Sequence, residues 1–166
     1  DVIKICNDLG GLVSFNHPAW SLQGYNDYIN LKGLWGVEVY NTGSDALGFI
    51  ETVTPLNDLL DVGERVVPLC TDDAHSPNSM NGGWVMVKAT SLDYDVVFNA
   101  LKNKDIYSST GPEIYDLYYE DGKVYINTSK VKRVFMTTNC RSDKLFKGAN
   151  NAPIENATFD LNYLIN

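Results

Sequence analysis

Arg65-Val66-Val67-Pro68-Leu69-Cys70-Thr71-Asp72-Asp73-Ala74-His75 is an apolar run that stops abruptly at two carboxylates and an imidazole. A short run of this kind, rich in β-branched residues, is the pattern of a buried strand. Two earlier segments repeat the form. Leu12-Val13-Ser14-Phe15 runs into Asn16-His17-Pro18, and Trp35-Gly36-Val37-Glu38-Val39-Tyr40 runs into Asn41-Thr42-Gly43. Helical patterns lie between them. Val2 to Leu9 has helical spacing with a stop at Gly10-Gly11, and a short helix is expected around Tyr25 to Leu31. Ser44 is placed to cap a helix running towards Leu60, which Pro55 must break or restart and Gly63 ends. Strand, helix, strand, helix, strand predicts an α/β sheet or barrel with parallel strands.

The rhythm continues through an apolar run at Trp84 to Ala89 and a helix from about Leu92 to Lys102. Beyond Ile106-Tyr107-Ser108-Ser109-Thr110-Gly111-Pro112 the texture changes. Ile114 to Tyr119, the Asp121-Gly122 turn and Val124 to Asn127 predict a hairpin. Val131 to Thr138 and Thr158 to Ile165 predict further strands. Residues 1–111 therefore read as one α/β domain, and 112–166 as a small, β-rich appended module.

The chain has 166 residues and a net charge of −8, with 21 acidic residues against 13 basic. That surface repels the phosphate backbone of extended nucleic acid and anionic lipid, while a small phosphorylated partner remains compatible through bound cations. Lys130, Lys132 and Arg133 are the tight basic group. No apolar run approaches the roughly 18–20 residues that span a bilayer, so a membrane is not expected as a partner. Cys6, Cys70 and Cys140 are odd in number and widely spaced, which argues against a disulfide framework or a zinc ribbon. Nucleotide-binding glycine fingerprints and the G-x-S-x-G serine elbow are lacking.

In parallel α/β folds the chemistry gathers at the carboxyl ends of the strands. His17, Glu38, Asn41, Asp73 and His75 all fall there. Asp73-Ala74-His75 sets a carboxylate and an imidazole one residue apart, and His17 adds a second imidazole. The set suits zinc, manganese or iron. Taken singly, His-Pro makes a turn and Asp-Asp-x-His caps one; taken together, at the ends of successive strands, they read as metal ligands. Asp72 is expected to orient a ligand or hold backbone N–H groups. Glu38, an acid following Val37, needs a buried partner such as a ligand histidine or a metal-bound water. Asn41 is a turn former or a substrate contact.

These residues resemble the PHP (polymerase and histidinol phosphatase) family, particularly its stand-alone metal-dependent phosphoesterases. The matching stretches are Gly11 to Pro18, Gly36 to Asn41, Asp72 to His75 and Tyr107 to Pro112. The resemblance implies a distorted (β/α) barrel holding divalent cations, with His17 as the His-Pro ligand and Asp73 and His75 as the Asp-x-His pair. It implies hydrolysis of a small phosphate ester by metal-activated water, with Asp72 and Glu38 in catalytic support. The family's early His-x-His motif has no counterpart, since His17 and His75 are the only histidines. The chain, which begins Asp1-Val2-Ile3 within a predicted helix, is therefore expected to be the C-terminal part of such a protein. It would hold a partial barrel that associates with itself or with the N-terminal half. Two other functions are compatible: a carboxyl or carbamate esterase with the same metal chemistry, and a non-catalytic remnant or binding module.

Overall fold

The computed structural model describes residues 1–138 and 144–162; Cys140 and the end of the strand expected over Thr158 to Ile165 lie outside the described residues. The chain divides into two compact units, Asp1–Gly111 and Pro112–Asn166.

In the first unit, β1 (Ser14–Phe15), β2 (Gly36–Asn41) and β3 (Val67–Thr71) form a parallel sheet in the order β1-β2-β3. The central strand β2 is buried at Gly36, Val37 and Glu38 in succession, as a parallel strand covered on both faces must be. A side chain at Gly36 would collide with Leu69 of β3, so glycine sets this close approach. Helices α1 (Val2–Asp8), α2 (Tyr25–Tyr28), α3 (Thr42–Ala46) and α4 (Thr54–Asp61) connect and flank the strands. Asp1 caps α1 by accepting from the Ile3 N–H. Pro55 does not break a long helix but starts α4, where its missing N–H costs nothing. Leu56 and Leu59 of α4 close over Phe15, Tyr28, Leu34, Val37 and Val66 to make the core. Burying a side chain such as Leu59 or Val37 contributes about 1.5–3 kcal/mol.

The expected partial (β/α) barrel of the PHP type is not formed. After β3 the chain makes β4 (Trp84–Val87), then α5 (Tyr94–Asn103) and β5 (Ile106–Ser109). β4 and β5 pair with each other, antiparallel, as a separate two-stranded sheet. Barrel closure needs each strand bonded to the next at a consistent stagger around the ring. Here β4 satisfies its ladder on β5 instead of extending the parallel sheet, and no barrel closes among the described residues. The architecture is mixed α/β, with one small parallel sheet and several small antiparallel ones. Ser108 holds β5 against β3, its Oγ donating to the Pro68 carbonyl and accepting from the Cys70 N–H.

In the second unit, β6 (Ile114–Glu120), β7 (Lys123–Val131) and β10 (Ile154–Asp160) form an antiparallel sheet in the order β10-β7-β6. Asp121 and Gly122 both have positive φ and make the tight β6–β7 turn. β8 (Arg133–Met136) and β9 (Lys144–Lys147) form an antiparallel pair, and the Phe146 ring meets Phe159 of β10 edge to face. Ala157 and Phe159 are the buried apolar residues of β10.

Candidate functional site

The carboxyl ends of β1, β2 and β3 meet at one carboxylate. Glu38 is 3% exposed. Its Oε2 accepts from the His17 backbone N–H at 2.6 Å and from Asn41 Nδ2 at 3.1 Å, and its Oε1 accepts from the Thr71 hydroxyl at 2.6 Å. The partners of this buried acid are thus a peptide, an amide and a hydroxyl, one from the end of each strand. Neutral donors of this kind satisfy a buried carboxylate where water is excluded.

Asn41 extends the network. Its Oδ1 accepts from the Ser44 N–H and caps α3, and its Nδ2 also reaches Asp73 Oδ2 at 3.3 Å. Asp72 faces the other way. It accepts from the backbone N–H groups of Asn81, Gly82 and Gly83 and from the Thr42 hydroxyl, all between 2.6 and 3.0 Å. These donors, led by the Gly83 N–H, outweigh the opposing effect of desolvation and pull the carboxyl down to about 2. Asp72 therefore anchors the loop from Asp73 to Gly83. A third acid, Glu51, is 7% exposed and accepts from the N–H groups of Ala19 and Trp20. It clamps the turn that follows His17-Pro18.

The three side chains expected to hold metal stand on these clamped loops. His17 (φ 33°) and Asp73 (φ 47°) both adopt left-handed backbone, which His and Asp enter more readily than most non-glycine residues and which the clamping hydrogen bonds hold here. His17, Asp73 and His75 line one pocket of about 400 Å³, walled also by Trp20, Ser44 and Leu47. The Trp20 ring meets the His17 ring edge to face, with centroids 5.2 Å apart. Glu38 and Asp72 do not line the pocket; they hold the backbone of the loops that carry His17, Asp73 and His75.

The donor chemistry suits a divalent cation. The Nδ1 of His75 bonds the Asp73 carbonyl at 2.7 Å, the arrangement by which a backbone acceptor fixes the tautomer and leaves Nε2 as a ligand. The Nδ1 of His17 is engaged at 3.0 Å by Ser21 Oγ. The arrangement does not yet suit one: His17, Asp73 and His75 share the pocket, but among the described residues no group of three or more His, Cys, Asp or Glu side chains is arranged to hold a metal ion. The set is partial as it stands. Family models, curated proteins and solved structures give no match to this chain.

Glu51 is the residue that the sequence reading missed. It belongs to the irregular stretch between α3 and α4, where no periodicity marks it as buried. The available signal was chemical: an acid following Phe49-Ile50 in a chain that must satisfy the N–H groups of a tight turn after His17-Pro18. Ser109 is buried and accepts from the Gly111 N–H, a turn-stabilising role at the end of β5.

Proposed function

We propose that the first unit supplies His17, Asp73 and His75 as donors to a divalent-metal site for hydrolysing a small phosphate ester, the chemistry that the PHP resemblance implies. The observation that carries this reading is the convergence of two imidazoles and a carboxylate on one pocket, on loops braced by the buried acids Glu38 and Glu51 and by Asp72. Divalent cations acidify bound water and offset charge on phosphoryl oxygens, which directs the reading towards phosphate esters. Glu38 and Asp72 are positioning residues: one fixes the His17 backbone, the other the loop that presents Asp73 and His75.

Water, substrate oxygens or donors from another chain segment can complete the coordination of these three side chains. Two features of the first unit are compatible with an added segment. β1 is an outer strand of its sheet, and α1 buries none of its residues, leaving Val2, Ile5 and Leu9 exposed in one stripe. The partial set equally favours a second reading, a pocket that binds a small polar ligand without catalysis.

The test is metal content, by plasma mass spectrometry, of the chain purified without chelator, beside His75→Ala. His75 is exposed, so the substitution leaves the core intact. Near-stoichiometric Zn, Mn or Fe that disappears in the variant is the expected result, followed by turnover of a phosphate-ester panel rather than carboxyl or carbamate esters. Metal absent from both proteins supports the non-catalytic pocket.

A further inference from the structure

The second unit has two exposed edges of opposite charge. From Asp116 to Glu120, β6 pairs with β7 on one side and has no ladder neighbour on the other among the described residues. Natural edge strands are usually blunted by lysine, proline or a twist away from the sheet. Residues 113–121 contain no lysine, arginine or proline; they carry Glu113, Asp116, Glu120 and Asp121 instead. Leu117 and Tyr119, which share one face of the strand, are 57% and 62% exposed. β6 is thus an acidic, aromatic edge with backbone groups still able to pair.

The β8–β9 hairpin lies against β10, at the opposite edge of the sheet. Its two strands contain Arg133, Lys144 and Lys147 and no acid. Arg133 stands directly across the ladder from Lys147, a like-charge pair that destabilises the hairpin unless a counter-charge lies nearby. Phe135, Leu145 and Phe146 are exposed beside these bases. A groove of about 600 Å³ runs between β9 and β10, lined by Lys144, Leu145, Phe146, Phe159 and the acid Asp160. It offers an apolar floor, and the hairpin beside it presents Arg133 and Lys147 to an acidic, aromatic strand.

We propose that β6 of one chain docks on the β8–β9 hairpin of a second copy, head to tail. One unit cannot make this contact with itself, because the two surfaces occupy opposite edges of the same sheet. Two β6 edges facing each other would bring Asp116 and Glu120 against their own like charges, so the contact is between unlike surfaces. Such a contact leaves one free edge of each kind and continues to a ring or an open chain. Its occupant is a second copy because the complementary partner, in charge and apolar character, is present in this sequence.

Sedimentation velocity of the full chain, from micromolar to submillimolar concentration, tests this. The average mass is expected to rise with concentration at low salt and to fall back at high salt, as charge-steered contacts do. Leu117→Lys/Tyr119→Lys changes only exposed β6 side chains, and Arg133→Glu/Lys147→Glu changes only the hairpin. Each variant alone is expected to remain monomeric, and an equimolar mixture of the two is expected to stop at a dimer through the one intact pair of surfaces. Hydrogen exchange of the wild type gives an independent readout, since β6 amides are expected to gain protection as concentration rises. A wild type that is monomeric throughout with unchanged β6 exchange overturns the proposal. So does association that survives the hairpin substitutions.

Discussion

At the residue scale, the molecule buries acids and pairs them with neutral donors. Glu38 and Glu51 have peptide, amide and hydroxyl partners, and each fixes a loop of the candidate pocket. Tyr28 shows the complementary case within the core. It is 3% exposed, and its hydroxyl donates to Asp58 Oδ2 at 2.5 Å. Burial, that hydrogen bond and the nearby Asp58 charge all oppose the phenolate and push the hydroxyl from 10.0 up to about 12. A folded-state pKa raised above the unfolded one gives stability that is complete below pH 10 and is lost as pH rises towards 12. Tyr28→Phe is expected to cost about 1.5–3 kcal/mol near neutrality, the range for a hydrogen bond to a charged group. In urea unfolding from pH 8 to 12, the stability gap between wild type and Tyr28→Phe should shrink across that window. A constant gap would mean that Tyr28 ionises alike in both states.

At the element scale, the local signals were legible and the pairing was not. Apolar runs and stops marked β2, β3, β4 and α5 within a few residues, and Asp121-Gly122 marked the β6–β7 turn, because these depend on side chains close in sequence. The expected strand over Leu12 to Phe15 shortened to Ser14–Phe15, and the helix expected from Ser44 towards Leu60 split into α3 and α4. The barrel failed because an apolar run does not specify its neighbour: β4 pairs with β5 across the intervening α5. The site divides in the same way. That His17, Asp73 and His75 share a pocket follows from strand ends, which are local, whereas the Glu51 clamp and the mutual arrangement of the donors depend on tertiary approach. The Asp73–Gly83 loop carries a sharper consequence. A Cβ at Gly83 would lie 2.7 Å from the Tyr40 ring and 3.1 Å from the Thr71 carbonyl, so the ring or the backbone that donates to Asp72 must shift. Gly83→Ala is expected to destabilise by about 1–3 kcal/mol, as overpacking does. It should also loosen the loop that presents His75, seen as faster hydrogen exchange at Asn81 and Gly82. Unchanged exchange there would separate Asp72 from the ordering of this loop.

At the scale of the whole molecule, each compact unit has its own buried residues: Val37 and Leu59 at the centre of the first, Ala157 and Phe159 in the second. Small cores of this kind give marginal stability, and each is expected to unfold as its own cooperative step. Leu59→Ala, at a fully buried position, should lower one calorimetric transition by about 2–5 kcal/mol, and Phe159→Ala should lower the other by about 3–5 kcal/mol. If either substitution moves both transitions equally, the two units form one cooperative system. The head-to-tail contact adds a condition that contact-free unfolding does not share. Association stabilises whatever binds only when folded, by an amount that grows with concentration. The transition lowered by Phe159→Ala should therefore rise in temperature with protein concentration at low salt, while the one lowered by Leu59→Ala stays fixed. Concentration dependence of the Leu59 transition instead would move self-association to the first unit, where the outer strand β1 and the exposed stripe of α1 are the surfaces available for it.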